Sequence, residues 1–117
     1  NLERIGLLDR VTLHLGDLAE GLLETDFDAA FLDLPNPENY LATLRSGLIN
    51  GGILGAILPT TNQVSAFLPA LEEHGFSSIE VVEILLRFYK PSAERFRPID
   101  RMVAHTGYLI FARAVVR

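Results

Sequence analysis

Two apolar runs, residues 29–34 (AAFLDL) and 53–58 (ILGAIL), constrain the fold more than anything else in the chain. Neither alternates polar with apolar residues, which is the pattern of strands covered on both faces in a parallel sheet. Between them Tyr40, Leu41, Leu44 and Leu48 recur at helical spacing. Asn36 before Pro37 reads as an N-cap with proline at the first helical position, and NGG at 50–52 reads as the helix stop. A strand–helix–strand unit of this kind requires a right-handed crossover.

The rest of the chain extends that unit. Thr60 with Gln63 three residues on fits a capping box, and Val64, Phe67, Leu68 and Leu71 form an apolar stripe. Pro69 should kink or shorten this second helix. Gly75 suits the position past its C-cap, and His74 lies where a cation favours a helix end. Residues 11–15 (VTLHL) read as a short first strand, closed by Gly16 and Asp17. Residues 78–89 and 106–116 read as two longer strands with no helix between them, hence an antiparallel hairpin at one edge. The expected fold is an α/β sheet of five strands. Ligands of such sheets bind beyond the carboxyl ends of the strands, where Asp17 and Asp33 both fall.

Composition narrows the function. The 117 residues are 49% hydrophobic, with a mean hydropathy of +0.26, yet no apolar stretch is long enough to span a bilayer. There are no cysteines, which removes disulfides, thiolate catalysis and zinc–cysteine sites and is compatible with a cytoplasmic origin. The three histidines show no metal-ligand spacing, and no Gly-rich phosphate loop or nucleophile elbow is present. The start, NLERIGLLDR, shows no signal-peptide pattern and reads as mid-helix, so the chain is expected to be a fragment. The net charge is −5, but residues 87–101 (RFYKPSAERFRPIDR) carry +3 and the remainder −8. A local basic stripe of this kind can hold phosphate despite an acidic whole.

Individual residues leave alternatives open. Asp33 either caps the following turn or presents a carboxylate at the mouth of the sheet. There it could accept a hydrogen bond from a base amino group and stabilise positive charge on an alkylated ring. Pro35 fixes the backbone beside it. Asp17 is either a turn aspartate or an acceptor for a purine amino group. Arg95 and Arg97 flank Phe96, with Phe88 and Tyr89 upstream, a mixture suited to phosphate contact and base stacking, or else to an idle solvated loop. His105 and Tyr108 follow at the start of the last strand; Tyr108 either packs against a base or belongs to the core.

The stretches VTLHLGDLAEG, FLDLPNPENY and above all ERFRPIDRMVAHTGYLIFAR closely resemble the tRNA (adenine-N1) methyltransferase family, over nearly the whole chain. That resemblance implies a Rossmann-like class I methyltransferase sheet in the order 3-2-1-4-5-7-6, truncated here to strands 3–7 with an antiparallel C-terminal hairpin. Residues 1–117 would be part of an S-adenosylmethionine-dependent catalytic domain. By the same resemblance Asp17 and Leu18 contact the adenine of S-adenosylmethionine, and Asp33 is the catalytic aspartate, with Leu34 beside the cofactor. Pro35, Arg95, Arg97, Arg101, His105 and Tyr108 lie toward the tRNA substrate. No metal is implied, and a homo-oligomer, commonly a tetramer, is. Family members often carry an aromatic where Glu38 stands, which bears on a local contact rather than on Asp33. Two other readings remain: a non-catalytic RNA-binding or assembly subunit, and a methyltransferase for another acceptor such as a protein carboxylate.

In the full strand order, strand 3 reaches strand 4 only through strands 2 and 1. Without them strand 3 is expected either to pair directly with strand 4 or to leave an apolar edge that drives association with another copy. Size-exclusion chromatography with light scattering checks the second expectation: an assembly larger than one 12.9 kDa chain is predicted, and a well-behaved monomer contradicts it.

Overall fold

The computed structural model describes residues 1–102 and 107–116. Its regular elements are β1 (Phe27–Leu32), α1 (Leu41–Gly47), β2 (Leu48–Leu58), α2 (Thr61–Glu73), β3 (Phe76–Val82) and β4 (Tyr108–Ala114). The four strands form one sheet in the order β1-β2-β4-β3. β1 and β2 are parallel, as their crossover through α1 requires, and β4 is antiparallel to both β2 and β3. This matches strands 4-5-7-6 of the sheet that the resemblance implies, with the C-terminal hairpin at the edge as expected.

Packing explains which face carries the core. On β2 the residues Leu54, Ala56 and Leu58 are buried, and on β4 Ile110, Ala112 and Ala114, an i, i+2, i+4 set on one face. Leu41 and Leu44 of α1 and Val64, Phe67 and Leu71 of α2 join them in a single core cluster. The opposite face is open. Phe31 is 74% exposed and its ring lies across Gly55, where a Cβ would come within 2.7 Å of it. A side chain at Gly55 would thus force the Phe31 ring to shift, a matter of close approach rather than of backbone freedom.

α2 forms as its sequence dictates. Thr60 Oγ1 accepts from Gln63 N, and the Gln63 side chain accepts from Thr60 N, closing the capping box. His74 is the C-cap, and Gly75 follows with φ 80°, a left-handed position that glycine takes without penalty. Pro69 does not shorten the helix, which runs on to Glu73. Pro69 and Ser65, whose carbonyl loses a donor to the missing N–H, are both exposed, so water can serve that carbonyl.

Several expectations are corrected. Residues 11–15 form no strand and do not pair with β1; Leu13 is 82% exposed and Leu15 fully so. A strand needs a neighbour to satisfy its backbone, and among the described residues none stands beside this one. Fold class therefore holds with four strands instead of five. The first helix stops at Gly47, so NGG lies inside β2. Asn36 stands at the N-cap with Pro37 in the first turn, as expected, but they open a 3₁₀ turn, Pro37–Tyr40, that leads into α1, and Asn36, left-handed at φ 52°, makes no side-chain cap hydrogen bond. β3 ends at Val82 rather than residue 89, and its last pair with β4 is Val82 with Leu109.

Phe67 is fully buried in the cluster, so Phe67→Ala should cost about 3–5 kcal/mol in urea unfolding. Thr60→Ala, which removes only the cap, should cost about 1 kcal/mol. Similar losses from the two would contradict this account of the core.

Candidate active site

The carboxyl end of β1 carries Asp33, Leu34 and Pro35, and a packed turn brings Asp17 and Leu18 to it. Asp33 follows β1 directly and is exposed; among the described residues no hydrogen bond or ion pair holds its carboxylate. By alternation along the strand it lies on the open face with Phe31, not on the face with the core. Leu34 is half-buried against the core, Pro35 is exposed, and Pro37 is fully buried, so the loop is pinned just past the aspartate.

Asp17 is brought to the same end by a packed turn. Its carboxylate Oδ1 accepts from Ala19 N at 2.9 Å, capping the short 3₁₀ turn Leu18–Glu20. That turn packs against Pro37–Tyr40, the turn just past Asp33. The turn reading and the functional reading of Asp17 are therefore compatible: one carboxylate oxygen is used as a cap and the other is free to accept. Residues 13–24 curl around a cleft of about 530 Å³ lined by Asp17, Leu18 and Leu22. His14 Nε2 meets Glu24 Oε1 across its rim, a pairing with no signal in the sequence.

Tyr108 opens β4 opposite Leu58, the carboxyl end of β2. It lies at the site end of the sheet, but its side chain is half-buried against the core cluster, on the face opposite to Asp33. The basic segment leaves β3 and returns to β4 at that same end. Arg95, Arg97 and Arg101 are exposed on it, and Arg97 lies 3.7 Å from Asp100. His105 lies outside the described residues. Among the described residues no group of His, Asp or Glu side chains is placed to hold a metal, and no helix is long and apolar enough to cross a membrane.

One buried charge escaped the sequence reading. Arg45 is 8% exposed and donates to Leu48 O at 3.1 Å, to Asn50 Oδ1 and to Val115 O, tying α1 to β2 and to the end of β4. The signal was there: Arg45 stands four residues after Leu41 and three before Leu48, on the apolar stripe. It sits at the end of the sheet away from Asp33, where β2 begins and β4 finishes.

With this geometry in place, comparison with known proteins is informative. The family model described as "tRNA methyltransferase complex GCD14 subunit" matches residues 1–96. The chain belongs to that tRNA methyltransferase family. Within it, the chain is 36% identical over 107 residues to tRNA (adenine(57)-N(1)/adenine(58)-N(1))-methyltransferase TrmI of Methanocaldococcus jannaschii, covering 91% of this chain and 38% of that protein. Among solved structures, it matches a SAM-dependent O-methyltransferase from Thermotoga maritima at 51% identity and a TM-score of 0.90, covering 99% of this chain and 44% of that one. It matches the tRNA (m1A58) methyltransferase TrmI of Aquifex aeolicus at 44% identity and a TM-score of 0.76, covering 84% and 40%. The chain thus spans less than half the length of these family relatives.

The Asp17 cap gives a local test. Asp17→Ala should speed hydrogen exchange at the Ala19 amide roughly five-fold, the equivalent of a cap worth about 1 kcal/mol, and Asp17→Asn should not. Unchanged exchange in Asp17→Ala contradicts the capping role.

Proposed function

We propose that this chain is the C-terminal catalytic part of an S-adenosylmethionine-dependent enzyme that methylates N1 of an adenine in the tRNA T-loop. The observation that carries the reading is Asp33: an exposed carboxylate, unpartnered among the described residues, at the carboxyl end of a parallel strand, in a chain of the tRNA methyltransferase family. Two relatives are named for adenine-N1 methylation of tRNA, and Asp33 has the chemistry that such a reaction needs. Its carboxylate would accept a hydrogen bond from the target adenine's amino group and offset the positive charge that methylation places on the ring. Arg95, Arg97 and Arg101 would meet tRNA phosphates, and Pro35 would border the base.

The residues present fit one end of the cofactor. A cleft with an exposed carboxylate, Asp17, beside half-buried Leu18 and Leu22 suits a purine ring and its amino group. When bound, S-adenosylmethionine supplies a methyl group already activated by its sulfonium, so the protein's task is chiefly to position the base and exclude competing geometries. No Gly-rich loop for the methionine end is found in the sequence. Accordingly the isolated chain should bind the cofactor poorly and be inactive alone.

A second reading has one observation in its favour: the Thermotoga maritima neighbour is named an O-methyltransferase. The net +3 on residues 87–101 favours tRNA over a protein carboxylate. A non-catalytic subunit is less compatible with an exposed Asp33, and the Candida glabrata relative, 34% identical over 83 residues, is named a catalytic subunit.

In the full-length enzyme Asp33→Ala should lower kcat by roughly two orders of magnitude, with cofactor affinity much less affected. Near-normal methyl transfer to tRNA by that variant removes the catalytic claim. Isothermal calorimetry on the 117-residue chain should show weak cofactor binding or none; tight binding contradicts the half-site reading.

A further inference from the structure

The segment joining β3 to β4 contains a small two-stranded arm. Lys90 N donates to Arg97 O at 2.8 Å, Ile99 N donates to Phe88 O at 3.0 Å, and Tyr89 and Pro98 form an antiparallel bridge between them. In such a pairing a residue also meets the one two positions from its direct partner. Tyr89 therefore meets Phe96, and their rings stack with centroids 5.2 Å apart and planes 16° from parallel. Arg87, two residues before Tyr89, holds its guanidinium carbon 5.9 Å from the Tyr89 centroid. The stack is nevertheless open to solvent: Tyr89 is 46% and Phe96 71% exposed. Rings held by stacking and by a cation have little freedom left to lose when something binds.

The surrounding charge selects the occupant. Lys90 Nζ and Arg97 share the single carboxylate of Asp100, at 3.0 and 3.7 Å. Arg95 and Arg101 are exposed, with no ion pair among the described residues. We propose that the Arg87–Tyr89–Phe96 stack is a platform on which an unpaired RNA base stacks, while Arg95 and Arg101 meet the adjoining phosphates. This rests on the reading of tRNA as substrate and adds how the arm grips it. A base inside a duplex has both faces covered by neighbours, so only an unpaired base can lie on an aromatic side chain. A second copy of the chain suits the patch less well, because a two-fold contact sets the +3 segment against itself.

The test is fluorescence anisotropy on the 117-residue chain with a labelled single-stranded RNA of about 12 nucleotides and with its duplex. Phe96→Ala should weaken single-strand binding roughly ten-fold and leave duplex binding unchanged, and Phe96→Tyr should restore it. Arg95→Gln should weaken both and lower the single-strand salt slope by about 0.7. Wild-type single-strand affinity in Phe96→Ala overturns the platform. So does light scattering in which Phe96→Ala dissociates an oligomer while RNA affinity stays constant, since the patch is then a contact between copies. Methyl transfer to tRNA by the full-length enzyme separates the two claims. If transfer occurs and Phe96→Ala binds normally, the platform fails and the methylation reading stands. If no transfer occurs and Phe96 still governs single-strand binding, the platform stands and the methylation reading fails.

Discussion

The sheet depends on β4 entering between β2 and β3 and running against both. Six consecutive pairs, from Ile53 with Arg113 to Leu58 with Tyr108, join β4 to β2. Among the described residues β3 has no other neighbour, so without β4 its ladder would be lost, and with it the footing of α2, which packs on β2, β3 and β4. The pairing also sets side-chain phase: Leu54, Ala56 and Leu58 face the helices with Ile110, Ala112 and Ala114. A slip of one residue would turn all of them to the open face. Arg45 reinforces the far end by holding Val115 O against the start of β2.

That reversal of direction also shapes the site. Because β4 begins where β1 and β2 end, the basic segment joins β3 to β4 at the end of the sheet that carries Asp33. Two features remote in sequence, an aspartate after the first strand and arginines before the last, thereby share one end of the sheet. Asp17 joins them through its turn, which packs on Pro37–Tyr40. The open face, with Phe31 across Gly55, and the unpaired outer edge of β1 mark where this arrangement is least supported among the described residues. Asp33 stands on that face, which is why its carboxylate meets solvent and no partner among the described residues.

Sequence patterns were legible where the cause is local. The Thr60–Gln63 box, the Val64–Phe67–Leu71 stripe and the Gly75 stop each act within a few residues, and all appear as expected. The two apolar runs located β1 and β2, and a carboxylate ending such a run pointed to Asp33. Misreadings arose where a distant partner decides the outcome. VTLHL has strand propensity but no strand beside it among the described residues, and residues 83–88 read as strand although the last β3–β4 pair is Val82 with Leu109. NGG looked like a helix stop, yet those residues are drawn into β2, and the helix ends at Gly47 instead. The Tyr89–Phe96 stack depends on an arm register that no single-sequence pattern sets, although both aromatics and the charge around them were visible.

The central claim is that Asp33 acts on the amino group of the adenine being methylated. It is tested most directly by a double cycle in the full-length enzyme: Asp33→Ala is combined with a tRNA whose target adenine is replaced by purine, which lacks that amino group. If the carboxylate works through the amino group, the two changes together slow transfer by clearly less than the product of their single effects, because that hydrogen bond can be lost only once. Losses that multiply, with Asp33→Ala costing as much on the purine tRNA as on the natural one, would contradict the account.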